Sequence, residues 1–396
     1  MSSSNQVRVA VIEEATYGVT PGAGDFDTAR FTSESLSGTP ETTESQQIRV
    51  DRASSGQVVT GLTVGGDLNA ELAKEDIVDK FIESAMYSTF ATTGATAVDL
   101  TIDVTLKTIT RAAGDWDADG IVVGDLLSLT AFANTENNVE VMVTSVDSAT
   151  VIKFAGPDGM VDETGAGTSF ELNDKISIGT TKKSFSIEKQ FLDLTTKGVN
   201  YRGMIASQMS LSFTYGEIAG MTFNFQGNDY EAVDQAADLI TDSRTVNAAA
   251  STNSMNGSVD MPFLINSSTG TLDKTTFCIQ SVEISLNNNL TAQTCIGETA
   301  PKDYSEGTAQ IEVSINAYLE DGNWDLLAKK LSQEAFSVGF FVKNVDGYYA
   351  FFMPAVQVSF DDPSSPGANQ DVFLNMTGTA KVGANGESPL TIYKSA

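Results

Sequence analysis

Residues 64–86, VGGDLNAELAKEDIVDKFIESAM, and residues 309–331, AQIEVSINAYLEDGNWDLLAKKL, decide how this chain folds. Each stretch begins with alternating polar and apolar residues, passes through an acidic turn and ends in an amphipathic pattern. Strict alternation predicts a β-strand with one buried face, whereas apolar residues three and four positions apart predict a helix. The same strand–helix pattern therefore occurs twice, about 245 positions apart.

Three helices are predicted, over 74–86, 321–331 and 229–240, and the remaining pattern is mostly β. Acidic residues near the start of the first helix and lysines in the last turn of the second suit the helix dipole. The third pattern, DYEAVDQAADLI, follows the strand TFNFQG. The residues expected to face the core are Ile77, Phe81, Ile82 and Ala85 in the first helix and Trp324, Leu327 and Leu331 in the second.

The echo between the two halves continues beyond the opening stretches. Three further pairs of segments match in the same order, which predicts an internal duplication of a unit of about 150 residues. The matching pairs are FSIEKQF (185–191) with FSVGFFV (336–342), YRGMIASQMSLSF (201–213) with YAFFMPAVQVSF (349–360), and FNFQG (223–227) with FLNMTG (373–378).

The first copy is interrupted where the second has only a short connection. Residues 101–180 contain short β-rich runs separated by Gly, Asp and Asn turns, which predicts a small inserted β domain on a loop. The expected organisation is a mainly β chain with a duplicated β-sandwich or barrel, flanking helices and this insertion. Its domains are 1–100 with 181–230, the inserted 101–180, and 231–396.

The composition limits the function more than any single motif. The chain has 396 residues, a formal charge of −29 and no histidine. Phosphate binding needs Lys and Arg, so wrapping of nucleic acid is disfavoured. The absence of histidine removes the commonest general base and zinc ligand, so we expect no enzyme, no cofactor and no metal. The two cysteines, Cys278 and Cys295, flank an expected hairpin and are expected to stay reduced, although they could pair.

Local motifs for ligands are weak. The Gly-rich segments 20–25 and 59–67 lack the Gly-Lys-Ser/Thr ending of a phosphate-binding loop. DWDADG (115–120) resembles a calcium loop but lacks the closing Glu, so an Asp-rich turn is expected. The first residues lack the apolar core of a signal peptide, and no run is long enough to span a membrane.

The polar positions of the alternating strands share one property, which is that none is Lys or Arg. An ordinary solvated sheet face would include some lysines. A face without positive charge suits a wall past which DNA slides, because every contact that neutralises a phosphate adds adhesion. The candidate lining residues are Asp67, Asn69, Glu71, Gln208, Ser210, Ser212, Asn224, Gln310, Glu312, Ser314 and Asn316.

A polar segment at 33–56 is too long for an ordinary hairpin connection. It ends in the alternating charges of IRVDRASSG. Two interpretations fit equally well, a surface loop or an arm that reaches a neighbouring subunit. The residues that would make the contact are Glu41, Glu44, Arg49, Asp51 and Arg52.

Four segments in this order resemble the major tail tube proteins of long-tailed, non-contractile bacteriophages. Together they cover most of residues 5–396 apart from the insertion. The segments are EEATYGVTPGAGDFDTARFTSESL (13–36), TTESQQIRVDRASSGQVVTGLTVGGDLNAEL (42–72), KSFSIEKQFLDL (183–194) with YRGMIASQMSLSF (201–213), and NNNLTAQTCIGETAPKDYSEGTAQIEVSI (287–315).

The resemblance implies a structural protein of the virion tail, assembled in the host cytoplasm. Its sheets would join edge to edge into rings, and the rings would stack into a tube. The polar faces would line the lumen, through which double-stranded DNA passes without specific binding. The 33–56 arm would contact the adjacent ring. The implied partners are further copies of the chain, the tape measure, the tail tip and the terminator.

The duplication predicts the ring. Tubes of this kind are typically built from six tube domains, so a chain with two copies would form a trimeric ring with pseudo-sixfold symmetry. A hexamer of chains is the alternative if the second half is not a true tube domain.

Two other classes of protein compete with this interpretation. An adhesin or carbohydrate-binding protein would cluster exposed aromatic residues around a groove. Here the aromatic residues alternate as core residues do, for example Phe213, Phe223, Phe225, Phe360 and Phe373. A hydrolase would use paired carboxylates, such as Asp115 with Asp117 or Glu13 with Glu14. Nothing in the sequence places these carboxylates opposite one another across a cleft.

Overall fold

The architecture is taken from a computed structural model of the chain. It describes residues 2–395 except 52–53, 92–95, 158, 251, 259–262, 268–269, 274–277, 325–326, 328–334, 365–366 and 385. The fold is mainly β, as predicted. Among the described residues, no helix is both long and apolar enough to cross a membrane.

The N-terminal part forms five strands and one helix. Helix α1 begins after Glu75 with Asp76 and Asp79 in its first turn, and it ends where Tyr87 adopts a left-handed conformation with φ of 51°. Its predicted apolar stripe is buried in the main core, which confirms the first helix. The elements are β1 (Val7–Glu13), β2 (Phe26–Ala29), β3 (Ser33–Glu34), β4 (Ser37–Glu44), β5 (Gln57–Glu71) and α1 (Asp76–Met86).

A separate eight-stranded sheet follows α1 and has its own hydrophobic core. Trp116 is fully buried there, with its ring 4.7 Å from that of Phe170. The first strand of this sheet pairs with the last, so its two chain ends lie side by side. The strands are β6 (Thr96–Ala97), β7 (Leu100–Asp103), β8 (Thr108–Arg111), β9 (Leu126–Thr130), β10 (Glu140–Ser148), β11 (Val151–Ala155), β12 (Glu163–Thr164) and β13 (Ser169–Leu172).

The chain then returns to the main sheet through long antiparallel strands. The third predicted helix, 229–240, is wrong, because its first half is a strand that pairs with the N-terminal half of the 17-residue β16. Arg202 binds Asp229 and Glu231, and two residues two positions apart lie on the same side of a strand. The strands are β14 (Asp174–Ser177), β15 (Phe185–Phe191), β16 (Gly198–Thr214), β17 (Gly220–Gly227) and β18 (Asp229–Val233).

The C-terminal part contains eleven strands. The second predicted helix, 321–331, lies largely outside the described residues. Of its expected core residues, Leu327 packs against the main core, Trp324 is 56% exposed, and Leu331 is not described. The strands are β19 (Val246–Asn247), β20 (Phe263–Ser267), β21 (Gly270–Asp273), β22 (Ile279–Asn287), β23 (Thr291–Gln293), β24 (Asp303–Ser305), β25 (Gln310–Tyr318), β26 (Ala335–Asn344), β27 (Gly347–Phe360), β28 (Phe373–Lys381) and β29 (Thr391–Lys394).

The two halves repeat the same pairing order. In the first half β5 pairs with β17, β17 with β16, and β16 with β15. In the second half β25 pairs with β28, β28 with β27, and β27 with β26. Each of these strands has a counterpart at the equivalent place in the other half of the chain. The two halves are therefore similar in strand topology as well as in sequence.

Strand β22 joins the two halves into one sheet. It pairs with β16 of the first half along one edge and with β25 of the second half along the other. One hydrophobic core consequently runs beneath both halves. Four aromatic side chains that were expected in the core, Phe213, Phe223, Phe225 and Phe360, are buried there, and Phe373 is half-buried against Tyr318.

The inserted sheet packs against the second half rather than standing free on a loop. Leu126 and Met142 of the insertion share a small core with Tyr348, Phe352 and other residues of the C-terminal strands. The buried Asp125 carboxylate accepts a hydrogen bond of 2.9 Å from the Tyr393 hydroxyl. Strand β14, which directly follows the last strand of the inserted sheet, pairs with β29.

Candidate functional site

One face of the continuous sheet is polar from β5 to β28. Strand alternation places one set of side chains in the core and the other set outside. On β25, for example, Ile311, Val313 and Ile315 are buried, whereas Glu312 and Ser314 are exposed. The sequence predicted this alternation, and the pairing registers show how the strands are aligned.

The registers place the candidate lining residues in four rows across the sheet. Because side chains directly opposite one another on paired strands lie on the same face, each row is a line of neighbours. All eleven candidates fall within these rows. In strand order the rows are Asp67–Asn224–Gln208–Asn287–Gln310, then Asn69–Thr222–Ser210–Ser285–Glu312–Thr379–Gln357, then Glu71–Gly220–Ser212–Glu283–Ser314–Thr377–Ser359, and finally Thr214–Ser281–Asn316–Asn375.

The strand at the centre of this face was not among the lining strands predicted from the sequence. Strand β22 contributes four polar residues, and β28 contributes three more. Period-two alternation in SVEISLN (281–287) carried the signal, but a strand at that place was expected to belong to a hairpin. The added residues are Ser281, Glu283, Ser285, Asn287, Asn375, Thr377 and Thr379.

Hydrogen bonds between side chains hold parts of this face in place. Asn224 Nδ2 donates to Asp67 Oδ1 at 2.7 Å, and Thr222 Oγ1 donates to Asn69 Oδ1 at the same distance. Gln310 Nε2 donates to Glu312 Oε1 at 2.7 Å. Such contacts fix side chains that would otherwise be free to bind passing groups.

The charge on the face is negative. Its rows contain four carboxylates and neither Lys nor Arg. Lys381 ends β28 two residues after Thr379, so it lies on the same side of the strand but outside the four rows. A long polymer of phosphates would therefore find nothing in the four rows to neutralise it. The carboxylates belong to Asp67, Glu71, Glu283 and Glu312.

The 33–56 segment and the start of β5 form a hairpin arm that projects beyond the sheet. Strand β4 pairs with the N-terminal half of β5, and both strands are largely exposed there. At its tip Arg49 Nη2 lies 2.7 Å from Asp51 Oδ2, and the Ile48 and Val50 side chains are fully exposed. Of the other predicted arm residues, Arg52 lies outside the described residues.

The two remaining arm residues stabilise the hairpin from within. Glu41 Oε1 accepts a hydrogen bond of 2.7 Å from the Thr63 hydroxyl. Glu44 Oε1 accepts one of 3.0 Å from the Ser54 hydroxyl. Both carboxylates are on the exposed strand β4.

A second arm, 288–309, was not anticipated. It connects β22 to β25 and extends away from the sheet. The first arm likewise connects β3 to the C-terminal half of β5, which lies in the sheet. Strands β23 and β24 form its stem, and the Leu62 N–H of the first arm donates to Thr299 O at 2.7 Å. Ile296 at its tip is fully exposed. A groove of about 900 Å³ separates the two arms.

Three of the four carboxylates considered for catalysis have structural partners. Asp115 accepts the Asp117 N–H within one turn, and Glu13 Oε1 lies 3.7 Å from Lys183 Nζ. Glu14 is buried and accepts hydrogen bonds from the Ser184 and Ser186 hydroxyls and two backbone amides. Over the described residues, no group of three or more His, Cys, Asp or Glu side chains could hold a metal ion.

Both cysteines are free and exposed. The expected hairpin between them is wrong, because the nine residues of β22 separate them. At about 3.3 Å per residue, a strand of this length keeps Cys278 and Cys295 roughly 30 Å apart. A disulfide within one chain would need their Cα atoms within about 7 Å.

The chain thus combines a continuous polar sheet face, a repeated topology and two arms. A family model described as phage tail tube protein matches residues 4–380. The chain belongs to the phage tail tube protein family. No curated protein matches it at the level searched. For a tail tube protein, the long sheet with one polar face is the feature that needs a function.

Proposed function

We propose that this tail tube protein is the structural subunit of the tube of a non-contractile tail, and that its polar face lines the lumen. The single observation that carries the proposal is the sheet that continues across both halves through β22. A sheet that already joins two repeats edge to edge can be continued by further copies of the chain in the same way.

The junction between β16 and β22 is the template for the junction between chains. In the repeat, β27 occupies the place of β16, and the edge formed by β3 and β4 occupies the place of β22. Over the described part of the chain, residues 358–360 of β27 have a ladder partner on one side only. Unpaired edges favour strand addition, so β27 of one chain would pair with β3 and β4 of the next.

Three chains complete such a ring. Each half is one tube domain in this proposal, with 1–100 and 181–230 as the first, 231–396 as the second and 101–180 as the insertion. Each chain would contribute eight strands, counting β3 and β4 together. The ring would have pseudo-sixfold symmetry, and closure would remove every exposed edge. A ring of six chains is the alternative.

The lumen surface gives the tube its chemical property. Rows of Ser, Thr, Asn and Gln with four carboxylates repel phosphate rather than bind it, so DNA would slide during ejection into the host. The first arm would contact the adjacent ring. The tape measure, the tail tip and the terminator are the expected protein partners, with assembly in the host cytoplasm.

Electron microscopy of the purified protein tests assembly and symmetry together. Tubes whose end-on views show three outer knobs per ring would support the trimer, with the insertion as the knob. Six knobs would keep the function but replace the trimer by a hexamer of chains. Monodisperse monomers under all assembly conditions would overturn the proposal.

Thiol accessibility tests which face lines the lumen. In a background with Cys278→Ser and Cys295→Ser, the variant Ser314→Cys places a single thiol in the third row. A small maleimide should label it in both monomers and tubes, whereas a maleimide on a bulky polymer should label it only in monomers. Leu106→Cys, on the exposed surface of the insertion, is the matched control and should react with both reagents in both states. Rapid polymer labelling of Ser314→Cys in long tubes would contradict the assignment.

A further inference from the structure

The strand pairs β15–β16 and β26–β27 occupy equivalent places in the two halves, and each has one face turned away from the main core. On β15–β16 this face is polar, and the chain itself covers it, since the buried Glu188 carboxylate accepts the Ile240 N–H at 2.6 Å. On β26–β27 the face is aromatic, and the insertion covers it through contacts with Phe341, Tyr348 and Phe352. The second half therefore needs the insertion to bury this surface.

The insertion contains everything that its own folding requires. All eight strands of its sheet come from residues 96–172, and its core is separate from the main core. Trp116 and Leu127 are fully buried in that core. The insertion also precedes the whole second half along the chain, and domains that fold as units do so in the order of their synthesis.

Two neighbouring leucines of β9 face different cores. Leu127 lies in the core of the insertion, whereas Leu126 lies in the small core shared with the second half. Adjacent residues of a strand point to opposite faces, so β9 serves both cores. Met142 of β10 pairs with Leu126 and lies in the same shared core. The folded insertion thus presents an apolar docking surface to the second half.

Polar groups beside this docking surface specify which strand binds and in which register. The fully buried Asp125 carboxylate accepts a 2.9 Å hydrogen bond from the Tyr393 hydroxyl of β29. Strand β14 pairs with β29, and β29 in turn pairs with β27. A strand edge and a carboxylate that are already in place give β29 directional partners, which an apolar surface alone does not supply.

We propose that the insertion is an intramolecular chaperone for the second half. It folds first, and its docking surface, Asp125 and β14 then hold β27 and β29 while the second half forms. Pairing of strands far apart in the chain is slow, because loop closure costs entropy before the contacts compensate for it. Early capture lowers this cost and covers aromatic side chains that would otherwise drive aggregation. This function belongs to the single chain and goes beyond the proposed tube.

Pulsed hydrogen exchange during refolding from urea tests the order of folding. In the wild-type chain, the amides of β9 and β10 should become protected before those of β26, β27 and β29. The chain has two tryptophans, so Trp324→Phe leaves Trp116 as a fluorescent reporter of the insertion alone. Its burial should be complete while the β27 amides still exchange. Protection of the second half first, or of both parts in one step, would overturn the proposal.

The matched variants Leu126→Ala and Leu127→Ala, made in the Trp324→Phe background, separate docking from folding of the insertion. Leu126→Ala should leave the rate of Trp116 burial unchanged but slow protection of β27 and β29 about tenfold, because part of the docking surface is lost. Leu127→Ala should slow Trp116 burial itself.

A Leu126→Ala chain that refolds at the rate of its background and only unfolds faster would show that docking follows folding of the second half, which would overturn the proposal. Both experiments use the unassembled chain. A failure to form tubes would therefore bear on the proposed function alone.

Discussion

At the scale of single residues, the buried carboxylates form the seam between the repeats. Asp79 of α1 lies between two lysines, with Lys74 Nζ and Lys394 Nζ each 2.9 Å from Oδ2, and its Oδ1 accepts a 2.6 Å hydrogen bond from Tyr349. These partners come from the segment before α1, from β27 and from β29. One side chain therefore ties the helix of the first half to the strands of the second.

Asp79→Asn should lower the free energy of unfolding by about 2–3 kcal/mol. The change leaves two lysines without their carboxylate, and the cost falls below that of a fully buried pair because both lysines keep some contact with water. Urea unfolding of the unassembled chain measures it. Asp76→Asn, in the same helical turn but exposed, should cost only about 0.5 kcal/mol. Equal losses for the two variants would contradict the role of Asp79.

Alkaline pH should weaken the same seam. Burial first, and then the neighbouring Asp79 and Asp125 carboxylates, raise the pKa of Tyr349 and Tyr393 well above the ordinary value. An unfolded phenol titrates near about 10, so the contribution of these groups is complete below that pH and is lost as the pH rises above it.

Unfolding free energies measured across this alkaline range provide the check. Tyr349→Phe combined with Tyr393→Phe should be less stable than wild type at neutral pH and lose less stability above about pH 10. Ultraviolet absorbance should show that the buried phenols of the folded wild-type chain, Tyr349 and Tyr393 among them, ionise at higher pH than those of the unfolded chain, because burial raises their pKa. Full ionisation of all tyrosines near pH 10 in a folded chain would contradict the prediction.

At the scale of elements, β5 serves two purposes, since its C-terminal half lies in the sheet and its N-terminal half in the first arm. Gly66 lies where β5 passes from the arm into the sheet, because the chain segment before β4 crosses β5 closely at this point. A Cβ there would lie 2.4 Å from Ser35 O, and φ is +147°. Neighbouring bonds pin the crossing, with the Ser35 N–H 2.9 Å from Asp67 O.

Gly66→Ala should cost about 2 kcal/mol or more, because the new methyl group meets backbone that has no flexible end to move. Thermal unfolding of the monomer measures the loss. Gly22→Ala is the matched control, since a Cβ at Gly22 would meet no atom within 4 Å. A melting temperature for Gly66→Ala equal to that of the control would show that the crossing is not tight.

At the scale of the whole molecule, the insertion covers an apolar surface of the second half. Phe341, Tyr348 and Phe352 are buried beneath Leu126 and Met142. The inserted sheet thus contacts the second half through a cluster of buried apolar side chains. In the proposed ring this fixes the angle between neighbouring tube domains.

Replacing residues 96–172 by a short Gly-Ser linker should make the protein aggregate, although the ends are close enough to join because Ala97 pairs with Ser169. The reason is the exposed patch left on the second half. Light scattering after purification measures the effect. The same deletion with Phe341→Ser and Phe352→Ser should scatter less. A soluble, monomeric deletion variant without these changes would contradict the covering role.

The sequence by itself determined the local structure and the chemistry of the polar face. Period-two alternation indicated which residues of β16, β17 and β25 face the core. The absence of Lys and Arg from the polar positions within 208–214, 222–226 and 310–316 is also a property of the sequence. The echo between the halves predicted the repeated topology, because matching segments in matching order fold into matching strands. The apolar stripe of α1 could likewise be predicted from the residues of the helix alone.

Only the tertiary structure decided how the repeats are joined. The pairing of β22 with both halves depends on hydrogen bonds between segments far apart in the chain, and periodicity carries no information on partners. For the same reason the periodicity of 229–240 predicted a helix, although its first half is a strand. A short isolated helix is only marginally stable, and pairing with the exposed edge of β16 stabilises the strand instead. The packing of the insertion against the second half also depends on surfaces that form only after both parts have folded.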